Sequence, residues 1–350
     1  MAAREDGRAA VMTDVARLAG VSSQTVSRVL NEHPHVSALT RQRVLAAVRQ
    51  LDYHPNALAR GLAGGRSRVV GVIGFNTDLY GPAATMLGIE RAARAAGYGV
   101  SIAAVEHADH DGVLAACGRL TDQSVDGLIV IAPQTAATAA LHRLPPGMPA
   151  VAVSPDTRTP IPAISVDQFT GARLAVTHLL ELGHRTVWHI AGSDDSLDAQ
   201  GRLDGWRATL EQAGIAPPPP IRGGWSARSG YRAGLQLAER NDVTAVFAGS
   251  DQLALGMLRA FAERGVRVPE DVSVVGFDDI PEAEYLVPPL TTIRQDFGEV
   301  GRRCVAALLS RMHADRPKGA MYPAPDPAIQ PALIVRRTTA APSGPESMRE

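Results

Sequence analysis

The chain changes its hydrophobic rhythm once, near residue 69. Before that point apolar positions recur at helical spacing in short bursts. Beyond it, continuous apolar runs alternate with helical stretches. Three helices are predicted in the first part. Thr13 is placed to cap a helix over Asp14–Ala19, with the Asp14 carboxylate at the positive helix end, and Gly20 breaks it. Ser22 caps a second helix, Ser23–Leu30, which turns Val26 and Val29 inward and ends at Asn31. Thr40 caps a third, Arg41–Leu51, with Val44, Leu45, Val48 and Leu51 on its apolar face. Three short helices with a tight turn around Gly20 fit the helix-turn-helix plan. Next comes Tyr53-His54-Pro55-Asn56-Ala57-Leu58-Ala59-Arg60-Gly61-Leu62-Ala63-Gly64-Gly65, where Pro55 suits a first helical turn and the paired glycines end it. A helix under three turns long is marginal on its own, so this segment reads as a hinge that orders only in a complex.

The second part predicts strands at Val69–Ile73, Val100–Ala104, Leu128–Ile131, Ala150–Val153, Val187–Ile190, Ala245–Ala248 and Val272–Val275. Runs this apolar point to parallel strands covered on both faces. Helical stretches lie between them at Pro82–Ala96, Gly112–Asp122, Gln168–Leu182, Ala199–Gln212, Gln252–Arg264 and Asp296–Met312. This is a doubly wound α/β plan, and roughly 270 residues of it exceed one typical domain, which predicts two lobes. The segment from Ala340 to Glu350 is polar and is expected to be disordered.

Charge changes the picture of the first part. The chain as a whole carries −1, but residues 1–68 hold ten arginines against five acids, so a head of +5 sits on a body of −6. A basic head on an acidic body predicts that the head meets a polyanion. No apolar run approaches the ~18 residues needed to span a bilayer. Met1–Ala10 is polar and lacks the apolar segment of a signal peptide, so a cytoplasmic location is expected, with no membrane partner. Cys117 and Cys304 have no metal-ligand spacing around them and read as buried free thiols in a reducing compartment.

The run Thr13-Asp14-Val15-Ala16-Arg17-Leu18-Ala19-Gly20-Val21-Ser22-Ser23-Gln24-Thr25-Val26-Ser27-Arg28-Val29-Leu30-Asn31 resembles the lac repressor family of LacI/GalR-type regulators. So do Val36-Ser37 with Thr40-Arg41, and Tyr53-His54-Pro55-Asn56 with Leu62-Ala63-Gly64. In the second part the matching motifs are Leu182-Gly183-His184, Arg202-Leu203-Asp204-Gly205-Trp206, Ser250-Asp251-Gln252, Ser273–Asp279 and Pro289–Phe297. They fall in order over about residues 12 to 340, and within the family the chain is most similar to the member that names it.

The resemblance implies an all-α helix-turn-helix head and an α/β periplasmic-binding-protein-like core of two doubly wound parallel-sheet lobes. It implies a DNA-binding domain over 1–52, a hinge over 53–67 and an effector-binding, dimerising core over 68–340. Within the core, the N-lobe takes 68–166 and 297–324, and the C-lobe 167–296 and 325–340, ahead of a tail at 341–350. The implied function is a transcriptional regulator, a repressor released from a palindromic operator by a galactoside-like sugar. A corepressor-dependent regulator of the same family stays open, as does a transport-type sugar-binding protein. The latter suits the core but not the basic head or the missing signal peptide.

On the second helix Ser23, Gln24 and Arg28 stand where a recognition helix meets base edges; Arg can fork onto guanine and Gln can pair with adenine. Ser22, Thr25, Asn31, Ser37 and Thr40 match family phosphate contacts, which orient without specifying sequence. In the hinge, Asn56, Ala59 and Leu62 are the implied minor-groove residues, with Leu62 as the wedge. The effector candidates are Leu79, Ser154, Arg202, Trp225, Ser250, Asp278, Gln295 and Phe297. Arg202 and Asp278 would hold hydroxyls, Trp225 and Phe297 would flank the ring, and Gln295 sits near the lobe crossing. Ser154 and Ser250 replace an Asp and an Asn of the most similar member, and Ile131 replaces another Asn, which leaves room for a different sugar. Asp278 and Asp279 also read as a solvated loop pair or a metal or acid/base pair, and Arg202 as a plain surface charge. A two-fold homodimer is expected because one such head covers too little DNA for a specific site. Ala340–Glu350 contains no leucine, so no C-terminal heptads for a tetramer are expected.

No enzyme class fits. The ten histidines are scattered, and no Walker loop or dinucleotide fingerprint follows a strand. His107 and His110, with Asp109 and Asp111 nearby, read as a solvated loop rather than a metal site. No cofactor and no metal are expected.

Overall fold

In the head, helices α1 (Met12–Ala19), α2 (Ser23–Leu30) and α3 (Ala38–Gln50) enclose one small core. The structure is a computed structural model that describes residues 10–30, 33–53, 67–75, 77–105, 110–145, 147–156, 158–313 and 328–343. Asn31, Asn56, Ala59, Leu62, His107 and Asp109 lie outside the described residues. The chain divides into two compact units, Met1–Ser67 and Arg68–Glu350.

Two helix starts differ from expectation. Thr13 lies inside α1, because Asp14 reaches back to accept the Val11 N–H at 3.1 Å and fixes the start at Val11. Ser37, not Thr40, caps α3 by accepting the Thr40 N–H at 3.2 Å. Gly20 sits at φ +63°, and a Cβ there would come within 2.7 Å of Arg43 Nη2. Arg43 uses that space to donate to the Ala19 and Gly20 carbonyls at 2.5 and 3.3 Å, which staples α3 onto the turn. Val15, Val26 and Val44 are fully buried among Ala16, Ala19, Val29, Ala47 and Tyr53. Leu45, expected on the inner face, is 39% exposed. The contact stripe runs Val44, Ala47, Val48, Leu51, and position 45 lies about 100° around from it.

The second unit opens with β1 (Val69–Phe75), α4 (Tyr80–Ala95), β2 (Gly99–Val105), α5 (His110–Asp122), β3 (Gly127–Ile131), α6 (Thr135–Ala140), β4 (Ala150–Val153) and β5 (Ala163–Ile164). Its strands pair in parallel in the order β2-β1-β3-β4-β5. The chain then builds α7 (Gln168–Glu181), β6 (Trp188–Ile190), α8 (Leu197–Gln212), α9 (Ala227–Ala238), β7 (Ala245–Ala248), α10 (Asp251–Glu263), β8 (Ser273–Asp278) and β9 (Thr291–Arg294). Helix α11 (Phe297–His313) returns to the first lobe, where Val300, Cys304, Val305 and Leu308 bury against Ile89, Ile129 and Val151. Strand β10 (Ala332–Ile334) closes the second sheet, in the order β10-β9-β8-β7-β6.

Each lobe is thus a five-stranded doubly wound sheet. The second is not wholly parallel, since β10 pairs antiparallel with β9. Strand β2 is an edge strand whose burial alternates, and its Ile102 is 55% exposed. Ala340 is held rather than loose: its carbonyl accepts from Ser273 Oγ and faces His184 Nε2, both at 3.0 Å. Ser343 Oγ donates to the Glu270 carbonyl at 2.6 Å. The chain passes between the lobes at 165–167, 295–296 and 328–331. Val166 and Ile329 pair there, with Ile329 N–H to Ser165 O and Asp167 N–H to Ile329 O both at 2.9 Å. Cys117 and Cys304 are buried free thiols. Among the described residues no helix is long and apolar enough to cross a membrane, and no group of His, Cys, Asp or Glu is placed to hold a metal ion.

Candidate functional site

The head presents α2 with Val26 and Val29 inward, which leaves Gln24 and Arg28 exposed one turn apart on the outer face. Ser23 is half-buried at the first turn. Two matching hydroxyl pairs mark the helix starts. Ser22 Oγ lies 2.9 Å from Thr25 Oγ1 and caps the Thr25 N–H at 3.2 Å; Ser37 Oγ donates to Thr40 Oγ1 at 2.9 Å. All four hydroxyls therefore cluster at the positive ends of α2 and α3, where backbone N–H groups favour an anion. Arg41 donates to the Val29 and His33 carbonyls at 3.4 and 3.0 Å, so it holds the end of α2.

Between the two lobes lies a cleft lined by residues of both. All eight predicted effector residues line it: Leu79, Ser154, Arg202, Trp225, Ser250, Asp278, Gln295 and Phe297. Four side chains at its floor form a ring closed by three hydrogen bonds and one ion pair. Arg202 Nε on α8 donates to Gln168 Oε1 at 2.8 Å. Gln168 Nε2, at the start of α7, donates to Gln295 Oε1 at 2.8 Å. Gln295 Nε2 donates to Asp278 Oδ1 at 2.6 Å, and that oxygen lies 3.5 Å from Arg202 Nη2. Arg202 also donates to the Gly249 carbonyl. Its guanidinium carbon lies 3.9 Å from the Phe277 ring centroid and 5.2 Å from that of Trp225. Arg202 and Asp278 are only 5% and 7% exposed, so neither is a surface charge or a solvated loop residue.

Backbone strain places the two neighbouring aspartates. Asp278 and Asp279 adopt φ +113° and +55°, conformations costly for residues with a Cβ. The chain thereby points Asp278 at the cleft while Asp279 pairs with Arg294 at 2.6 Å and Arg336 at 2.7 Å. Burial pushes the Asp278 carboxyl up to about 6, against the pull of Arg202 and of the Gln295 hydrogen bond. Asp251, fully buried behind it, accepts from Thr292 Oγ1 at 2.6 Å and the Ile280 N–H at 2.8 Å. Burial, with Asp278 close by, pushes Asp251 up to about 8.

The walls are aromatic. Tyr80 and Phe297 meet edge to face with centroids 5.8 Å apart. The Trp225 ring lies against Gly192, where a Cβ would collide with it. Both predicted serines already have local work. Ser250 caps α10 by accepting the Leu253 N–H at 3.2 Å. Ser154 accepts the Asp156 N–H at 3.2 Å and lies 3.3 Å from Thr138 Oγ1. The Ser250 hydroxyl still has its proton to give.

Sequence reasoning missed Gln168, Gln134, Asp198 and Tyr80, which also line the cleft. Asp198 carried a usable signal: it stands four residues before Arg202 and so shares its helix face. Nothing local marked Gln168, whose partner lies 127 residues away.

Comparison with known proteins places this geometry. The family model of bacterial regulatory proteins, lacI family, matches residues 11–56, and that of the periplasmic binding protein-like domain matches 176–339. The lactose operon repressor of Escherichia coli (strain K12) is 39% identical over 332 residues, 94% of this chain and 91% of its own. The HTH-type transcriptional repressor PurR of Haemophilus influenzae (strain PittEE) is 32% identical over 335 residues, 94% of this chain and 98% of its own. The crystal structure of the lac repressor dimer bound to operator and an anti-inducer superposes with a TM-score of 0.84 at 37% identity, covering 95% of this chain and 100% of that one. The cellobiose complex of the transcriptional regulator CelR gives 0.69 at 30% identity, covering 94% and 99%. With a basic three-helix head, a two-lobed core and this likeness along nearly its whole length, the chain belongs to the lacI family of bacterial regulatory proteins.

Proposed function

We propose that this protein is a transcriptional repressor that grips a palindromic operator as a homodimer in the cytoplasm and releases it when a galactoside-like sugar fills the cleft. Gln24 and Arg28, with Ser23, read base edges in the major groove. Ser22, Thr25, Ser37 and Thr40 hold phosphates. Asn31 on the backbone, and Asn56, Ala59 and Leu62 in the minor groove, complete the DNA contacts implied by the family resemblance. The work is binding, not catalysis.

One observation carries the effector half of this reading. Gln168 follows the 165–167 crossing directly, Gln295 lies in the 295–296 crossing, and they bond to each other while holding Arg202 and Asp278. The groups suited to sugar hydroxyls are therefore wired into the segments about which the lobes turn. A ligand that takes over bonds of Arg202 or Asp278 alters the ring that sets the lobe angle, a hinge closure of ordinary kind. Coupling of this sort is typically ~1–3 kcal/mol per site, or about 5- to 150-fold in affinity.

A mobility shift on promoter fragments, with and without sugars, tests the proposal. A discrete complex that a galactoside dissolves is the expected result. A complex formed only with the sugar present would make the sugar a corepressor. Sugar binding without any DNA complex would leave a binding protein of transport type.

A further inference from the structure

The lobes are joined in a second way, besides the covalent crossings. The chain entering α6 and the chain entering α8 run antiparallel past each other, with Gln134 paired to Ser196. Thr135 N–H donates to Asp195 O at 3.2 Å, and Leu197 N–H donates to Pro133 O at 2.8 Å. This is a two-bond piece of β-ladder between lobes that share no sheet. Gln134 and Ser196 are 5% and 6% exposed, which shields its middle from water. The local structure explains why donors are available here. Gln134 and Ser196 are the extended N-cap residues of α6 and α8, at φ −100°, ψ 148° and φ −87°, ψ 121°. Their carbonyls start the helices by accepting from the Thr138 and Gln200 N–H groups, both at 3.0 Å. Thr135 and Leu197 are the first helical residues, whose N–H groups have no partner within their own helices. Each lobe therefore satisfies an orphan donor of the other.

Position gives the clasp leverage. Strand β6, which leads into it, lies at the opposite edge of its sheet from β9 and β10, whose ends carry two of the crossings. At ~4.8 Å per strand, β6 stands ~14 Å from β9. A rotation of ~10° about the crossings moves a point at that distance by ~2.5 Å, enough to carry both donors out of hydrogen-bond range. Spreading the lobes therefore breaks both bonds together.

We propose that this clasp is a latch. It holds the lobes closed through the protein's own backbone, with no need of a ligand to bridge them, and its opening gates entry to the cleft. The latch itself does not depend on what the cleft binds. Its effect on effector entry rests on the reading that a galactoside enters there.

Proline isolates the latch. A first helical position accepts it, and the residue before it must be extended, as Gln134 and Ser196 already are. Thr135→Pro and Leu197→Pro each delete one donor, whereas Thr135→Ala and Leu197→Ala change the side chain and keep the N–H. Amide hydrogen exchange of the full-length protein without sugar, resolved by residue, reads the latch directly. In the wild type the Thr135 and Leu197 N–H groups should exchange at least about tenfold more slowly than free amides, since nothing in their own helices protects them. A net hydrogen bond shifts such an equilibrium by about 2- to 12-fold. Exchange at Leu197 should quicken by that factor in Thr135→Pro and hold the wild-type rate in Thr135→Ala, and Thr135 should respond likewise to Leu197→Pro and Leu197→Ala. Stopped-flow tryptophan emission with methyl β-galactoside should show association faster by the same factor in both proline variants. Free exchange of the two amides in the wild type, or equal rates in the proline and alanine variants, overturns the latch. Quickened exchange with unaltered association overturns the gating. Absence of any sugar signal in the wild type overturns the effector reading, while exchange still decides the latch.

Discussion

Replacing Arg202 with Met should destabilise the core by an amount that depends on pH, and the ring geometry sets both parts of that cost. The pH-independent part is the loss of buried donors. Gln168 Oε1 and the Gly249 carbonyl each lose a partner. At ~1–3 kcal/mol for each orphaned buried acceptor, partly relieved by water, this gives about 3 kcal/mol. The pH-dependent part comes from Asp278, which sits at about 6 while Arg202 opposes its burial. Without the guanidinium the carboxyl climbs further and the folded variant takes up a proton that the folded wild type does not hold. Below about 6 both folded forms are protonated at Asp278 and the difference vanishes. Above it, the variant loses stability relative to wild type by about 1.4 kcal/mol per pH unit, up to its own raised value. The expected cost is thus about 3 kcal/mol at pH 5.5 and about 5 kcal/mol at pH 7.5. Urea unfolding followed by tryptophan emission reads this lobe directly, since the three tryptophans are Trp188, Trp206 and Trp225 and all lie in it. The double variant Arg202→Met/Asp278→Asn should lose the slope and keep the pH-independent cost. Equal costs at the two pH values, or a slope that survives in the double variant, would refute the reasoning.

Asp251, pushed up to about 8 by burial, favours the protonated form in the fold. Its contribution to stability is complete below the ordinary carboxylate range and fades as pH rises toward 8. Burial lowers His178, His184 and His189, so above about 6.5 they stay neutral on folding and add little slope. The core's melting temperature should fall between pH 6.5 and 8 in wild type and stay flat in Asp251→Asn, as calorimetric scans at four pH values would show. Arg28→Ala should cost ~1–3 kcal/mol at one base position of the operator, and binding that weakens equally on specific and random DNA would deny it base readout. Gly192→Ala puts a methyl where the Trp225 ring lies. It should weaken sugar binding at least tenfold (about 1.4 kcal/mol) and shift the emission of Trp225, while DNA binding without sugar persists; unaltered sugar affinity would remove Trp225 from the site.

The strands of both sheets were legible where the chain is buried on two faces, as at β3 and β7, whose residues are all buried. Strand β9 escaped because Thr291 and Thr292 look polar, yet both are fully buried. The Thr291 hydroxyl accepts the Arg336 N–H at 3.0 Å and that of Thr292 donates to Asp251 at 2.6 Å, partners that only tertiary structure supplies. Helix α9 escaped because Gly230 and Gly234, on its buried face, lower the helical signal. The cap errors have a local cause: Thr13 and Thr40 are good caps by type, but Asp14 and Ser37 had competing claims one or three residues away. At the site, the family resemblance named Arg202, Asp278 and Gln295 one by one. It said nothing of the ring, because Gln168 joins them only after the lobes have folded. Gln134 is noticeable only once folded, as a buried side chain whose Oε1 has no partner among the described residues.

The central claim is that cleft and head exchange free energy, and linkage makes it testable in both directions. Operator affinity measured at rising concentrations of a bound galactoside should fall by about 5- to 150-fold, and sugar affinity measured with saturating operator should fall by the same factor. Arg202→Met should abolish both changes together while the head still binds its site. Operator affinity that does not move when the sugar saturates the cleft would contradict the account.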